Sequence, residues 1–112
     1  MTTLINVLTV DAANQKQLLE LLRDNTDTVI RTLDGWLGTS LIASADGKRV
    51  VIHSQWRDAA SVEAMRRDQR MLAYFPRIAA LASLDSVVGD LAYGLCADAG
   101  TVALDQMHQP TP

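Results

Sequence analysis

At 112 residues the chain suits one domain with one core, and a formal charge of −3 gives it no electrostatic reason to bind nucleic acid. Its residues are 48% hydrophobic, yet only Trp36, Trp56, Tyr74, Phe75 and Tyr93 are aromatic, so the core must be mostly aliphatic. A single cysteine, Cys96, excludes an intrachain disulfide, and no run approaches the roughly 18 apolar residues of a membrane span.

With no basic, apolar leader at the start, the cytoplasm is the expected location. The histidines, His53 and His108, stand far apart with no partner spacing, which argues against a metal site.

Residues 3–10, TLINVLTV, predict a first strand interrupted by one amide, Asn6. A helix is predicted over 11–35, with Leu18, Leu22, Val29 and Leu33 at helical spacing. Asp11 is its expected N-cap through its carboxylate, and Gly35 suits the left-handed residue that ends it. WLGTSLIASA (36–45) and KRVVIHSQWR (48–57) flank Asp46-Gly47 and predict a hairpin.

Helical period returns over 58–83, with Val62, Met65, Leu72, Phe75, Ala79 and Ala82 on the inward face. Pro76 lacks an amide hydrogen and crowds the preceding turn, so a kink or split is expected near Tyr74–Phe75. DSVVGDLAYGLCA (85–97) predicts a fourth strand, with bulges or close backbone contact at Gly89 and Gly94. Residues 1–97 thus form the single domain. The remainder, 98–112, is a small polar tail, either mobile or an arm ordered against a partner.

The order β-α-β-β-α-β is the α+β, ferredoxin-like arrangement with an antiparallel sheet. VDAANQKQLL (10–19) and RDAASVEAMR (57–66) both leave a strand through Asp-Ala-Ala, an echo expected of two βαβ halves. Two helices cover only one face of such a sheet. In the third strand Val50, Ile52, Ser54 and Trp56 share one side, and Arg49, Val51, His53 and Gln55 the other. Neither side is polar enough to be left in water, so a homodimer closing two sheets into a barrel is expected.

Chemistry concentrates on few residues. Trp56 stands where a strand turns into a helix, and its indole either fills the core or stacks on or donates to a planar ligand at a cavity rim. Asn6 alternates with Leu4, Leu8 and Val10, so its amide points among apolar neighbours. It either makes a cross-strand contact or donates to an oxygen on which charge develops. His53 and Gln55 have the opposite parity and face the expected dimer side, with His53 either a packed residue or a base. Tyr74 and Phe75 lie on the second helix, where Arg70 and Arg77, two turns apart, could neutralise an anionic ligand. No phosphate loop, GxSxG elbow, Cys-His pair or nucleotide, flavin or nicotinamide fingerprint is present, so catalysis would rest on desolvation and hydrogen bonds with no cofactor.

Asn6 within INVLTV, DGWLGTSL (34–41) and QWRDAASVEAM (55–65) together resemble the antibiotic biosynthesis monooxygenase family, over about residues 3–97. The resemblance implies a dimeric α+β barrel with a ligand cavity between sheet and helices. It also implies a cofactor-independent monooxygenase that oxidises a small planar anthrone- or quinol-like aromatic with molecular oxygen. Asn6 and Trp56 match the family's substrate-proximal Asn and Trp and are the implied catalytic pair. His53, Tyr74, Phe75 and Arg77 are the further substrate-binding candidates. The chain departs from the family at Ile52, where anthrone oxygenases often carry a second Asn. It departs again at Met65 and Phe75, where quinol-oxygenase-like and haem-degrading members carry histidines. Haem is therefore not expected. The competing class is a non-catalytic homodimeric ligand-binding or regulatory module on the same fold.

Overall fold

A computed structural model of the chain describes residues 1–95 and 97. Strand β1 (Thr2–Val10) leads through a 3-10 turn (Ala12–Asn14) into helix α1 (Gln15–Thr28). A second 3-10 turn (Ile30–Thr32) precedes β2 (Trp36–Ala43) and β3 (Arg49–Trp56). Helices α2 (Ala59–Arg67) and α3 (Gln69–Ala79) and strand β4 (Ala82–Gly89) follow. The sheet order is β2-β3-β1-β4, with every neighbouring pair antiparallel. This is the expected ferredoxin-like α+β fold. It follows from the period-2 alternation of β1, whose Leu4, Leu8 and Val10 are buried while Thr9 is exposed.

All helices pack on the face that carries those residues. Leu8, Val10 and Val50 meet Leu18 and Leu22 of α1, while Leu4 and Trp56 meet Val29, Val62, Met65 and Met71. The opposite face carries Ile5, Val7, Val51 and Val87 in facing register, so the strand parity read from sequence holds. Gly47 (φ +79°) sits in the hairpin turn, where Asp46 Oδ1 accepts from the Lys48 amide at 2.9 Å and from the Ser44 hydroxyl at 2.7 Å.

Five local expectations need correction. Helix α1 stops at Thr28 rather than running to Gly35. Gly35 does adopt φ +86°, but it follows the second 3-10 turn and lies against Ser61 of α2. Asp11 occupies the N-cap position of the first 3-10 turn, yet its carboxylate makes no capping bond; its backbone carbonyl accepts from the Asn14 amide at 2.8 Å. In the second copy of the Asp-Ala-Ala motif the carboxylate does cap, since Asp58 Oδ1 accepts from the Ser61 amide at 2.8 Å.

The second helix splits at Asp68, not near Pro76. Asp68 is extended (ψ 132°), and its carboxylate accepts from the amides of Arg70 and Met71, which starts a new helix. The restart also resets the helical phase, so that Met71, Phe75 and Ile78 face inward and Leu72, expected there, is 50% exposed. Pro76 is tolerated inside α3 because it is exposed, as is Leu72, whose carbonyl loses its helical donor and can bond to water. Finally, β4 covers 82–89 instead of 85–97, because the register with β1 pairs Val10 with Ala82 and Thr3 with Gly89. Gly89 ends the strand and Gly94 lies beyond it. Cys96 and the tail 98–112 fall outside the described residues.

Candidate functional site

Between sheet and helices lies a cavity of about 410 Å³. Its floor is built by the inward residues of β1 and β3, namely Leu4, Asn6, Leu8, Ile52, Ser54 and Trp56. Leu22 and Asn25 of α1, with Met71, Phe75 and Ile78 of α3, form its roof. Because the floor alternates with the pleat, a slip of one residue in β1 would turn Asn6 away from the cavity.

The cavity wall contains amides and hydroxyls but no Asp, Glu, His, Lys, Arg, Cys or Tyr among the described residues. Most of its hydrogen-bonding groups are already engaged. Trp56, 1% exposed, donates its indole N–H to Ser54 Oγ at 3.1 Å, and the Ser54 hydroxyl turns toward Leu4 O at 3.5 Å. Trp56 therefore has no free donor to offer, and its ring is packed in the core with Leu4, Val29, Val62, Met65 and Met71. Trp36 donates to Thr39 Oγ1 at 2.9 Å. Asn6, half-buried at the centre of β1 beside Ile52 and Ser86, has no side-chain partner among the described residues.

Of the sequence candidates, Asn6, Trp56 and Phe75 meet at this cavity. The other three do not line it. Tyr74 faces α1, donating its hydroxyl to Asp24 at 2.6 Å, with Arg77 stacked 5.1 Å from its ring centroid. Arg70 is held by its own helix cap, Asp68, at 3.4 Å. His53 lies on the far face of the sheet. There it approaches Gln55 Nε2 at 3.4 Å, while Gln55 Oε1 accepts from the Thr3 hydroxyl at 2.9 Å.

Two cavity residues have no role predicted from sequence. Strand parity places Ser54 on the inward face and nothing more. Asn25 falls in the apolar stripe of α1, three residues after Leu22 and four before Val29, and is buried to 2% exposure. The test that picked out Asn6, a lone amide in phase with apolar residues, applies equally to Asn25. Ile52, Met65 and Phe75, the positions of departure from the family pattern, all line the cavity and make it more apolar.

At the rim where β3 leaves the sheet, Arg57 forms two hydrogen bonds to Asp34, at 2.9 and 3.1 Å. This pairing holds the Asp34 carboxyl below its ordinary range. The Ser61 hydroxyl and amide do the same for Asp58. These groups tie Gly35, the start of α2 and the end of β3 together, outside the cavity. Among the described residues no cluster of three His, Cys, Asp or Glu is close enough to hold a metal ion, and no helix is long and apolar enough to cross a membrane.

Residues 1–77 match the family described as antibiotic biosynthesis monooxygenase, which is more than half of the chain. The chain belongs to that family. Over 73 residues it is 36% identical to the tetracenomycin-F1 monooxygenase of Streptomyces glaucescens, a match that spans 65% of each protein. Among solved structures it is similar to the monooxygenase ActVA-Orf6 of Streptomyces coelicolor, determined with nanaomycin D. That similarity has a TM-score of 0.78 and 22% identity, over 87% of this chain and 92% of the other. SnoaB of Streptomyces nogalater, a cofactor-independent oxygenase, superposes with a TM-score of 0.71 at 16% identity, over 84% and 95%. At these identities the solved structures speak for the fold.

Proposed function

We propose that this family member is a homodimeric monooxygenase that oxidises a small planar aromatic, anthrone- or quinol-like, with molecular oxygen and no cofactor. The observation that carries this reading is an apolar cavity with an unpartnered amide, a buried indole and no ionisable side chain in its described wall. Such a wall suits a neutral ring system, and it offers no general base. The substrate must then be acidic enough to lose its own proton, as the doubly activated methylene of an anthrone is. The enolate gives electrons to oxygen, and the net change converts CH2 and O2 into C=O and H2O. Asn6 would donate its amide hydrogen to the enolate oxygen, where a fixed donor in a dry site is worth far more than in water. The Trp56 face would hold the ring plane.

The relatives support the reading by what they are called: a tetracenomycin-F1 monooxygenase, a cofactor-independent oxygenase, and a monooxygenase solved with nanaomycin D. Dimer formation is supported by the uncovered face of the sheet, where Val87 is 67% and Ile42 54% exposed.

The test is oxygen uptake by purified protein with anthrone, a chelator present and the spontaneous rate subtracted. Protein-dependent uptake of one O2 per anthraquinone formed is the expected result. Saturable binding of anthrone with no uptake would favour the non-catalytic ligand-binding module instead.

A further inference from the structure

Asn25 is a buried amide whose hydrogen-bonding capacity is mostly unused among the described residues. The residue is 2% exposed, lines the cavity from α1, and donates Nδ2 only to the thioether of Met71, at 3.3 Å. A thioether is a weak acceptor. The amide oxygen, Oδ1, has no partner among the described residues. Burying an amide this poorly satisfied costs free energy that a leucine at the same helical position would not. Nor is it needed by the helix, since asparagine is a poor interior helix former. The other residues that α1 and α3 bring to the cavity, Leu22, Met71, Phe75, Ile78 and Ala79, are apolar.

We infer that Asn25 is a specificity-determining residue whose Oδ1 accepts a hydrogen bond from a phenolic hydroxyl of the bound ring system; this rests on the ligand reading of the cavity given above. With Nδ2 turned to Met71, the end left over is an acceptor, so the complementary group on the ligand is an O–H donor and not a ketone or an ether. Asn6 rises from the sheet floor and Asn25 descends from the helical roof, so the two amides address different substituents. Asn6 meets the oxygen that gains charge, and Asn25 meets a hydroxyl that stays neutral and sets the orientation of the rings. A substrate without that hydroxyl would leave a buried acceptor unpaired, which is how a site rejects an analogue lacking one polar group.

The experiment is calorimetric binding of 2-hydroxyanthraquinone, 2-methoxyanthraquinone and anthraquinone, at a pH that keeps the hydroxyl protonated, to the wild-type protein and to Asn25→Leu. The wild type should prefer the hydroxy compound over the other two by about tenfold, the size of one net hydrogen bond. In Asn25→Leu that preference should vanish while anthraquinone binds at least as tightly. A preference that survives in Asn25→Leu overturns the assignment, as does a wild type that binds all three alike. Should Asn25→Leu not fold, Asn25→Met serves as the second variant. A wild type that binds none of the three compounds removes the ligand reading itself, an outcome distinct from losing the Asn25 assignment alone.

Discussion

Trp56 and Ser54 are joined inside one strand: the indole N–H donates to Ser54 Oγ across 3.1 Å, and both side chains are buried. The bond satisfies a donor that would otherwise stand in an apolar wall. It also fixes the position of the indole in the core beside the cavity.

Ser54→Ala should therefore destabilise the fold by about 1–3 kcal/mol, because it strands the indole N–H. In a Trp56→Phe background the same Ser54→Ala change should cost less, since no donor remains to be stranded. Urea denaturation of the four proteins in the cycle reads the difference. Equal costs in both backgrounds would mean that the N–H···O bond is not what Ser54 contributes.

Gly35 combines φ +86° with a position at which an added Cβ would collide with the Ser61 side chain. Gly35→Ala should lose about 1–2 kcal/mol from the left-handed backbone alone, and more from the collision. Gly89→Ala is the contrast: it has open space around it and should change stability by less than about 0.5 kcal/mol. Similar melting temperatures for the two variants would contradict the packing of Gly35 on α2.

The rim carboxylates give a pH signature. Arg57 lowers Asp34 from its ordinary value of 3.8, and Ser61 lowers Asp58 from the same value. A group whose folded pKa is depressed adds stability above its unfolded pKa, and that stability is lost as pH falls through the folded value. Stability should thus hold from neutrality down to about pH 4 and fall below it. Removing Arg57 abolishes the pairing with Asp34. The gap between wild type and Arg57→Ala, measured by urea denaturation, should then narrow as acid protonates Asp34. A gap that widens in acid would refute the assignment.

The uncovered sheet face makes a separate prediction. Val51 lies on that face in register with Val7 and Ile42. Val51→Lys puts a charge into the proposed dimer contact, so light scattering should report the mass of two chains for the wild type and one for the variant. A wild type that runs as a single chain would remove the dimer from the account.

Much of this architecture is legible in the residues themselves. Alternation in LINVLTV and the Asp-Gly turn mark the strands, because a pleated sheet with one buried face demands period 2. The helix boundaries were less accessible. Asp11 and Asp58 open the same Asp-Ala-Ala motif, yet only Asp58 caps through its side chain. That difference depends on how the chain leaves each strand, not on the motif. Pro76 drew attention as the strongest breaker, while the break occurs at Asp68, where a competing cap is made and solvent spares the proline.

The site was legible in part for a related reason. Asn6, Trp56 and Phe75 follow from strand parity and helix phase, and they meet at the cavity. Tyr74 is adjacent to Phe75 but points to Asp24, because neighbouring helix positions diverge by about 100°. Asn25 stands in the apolar stripe of α1 between Leu22 and Val29, so helical periodicity alone gives it no role.

If oxygen chemistry takes place in the cavity above Asn6, as proposed, its rate depends on that amide. The rate of anthrone-dependent oxygen uptake should be compared between wild type and Asn6→Ala, with folding of the variant verified by its melting curve. Loss of a single donor to a developing oxyanion predicts a fall in kcat of about 10²-fold. A folded Asn6→Ala protein that turns over anthrone at the wild-type rate would contradict the account.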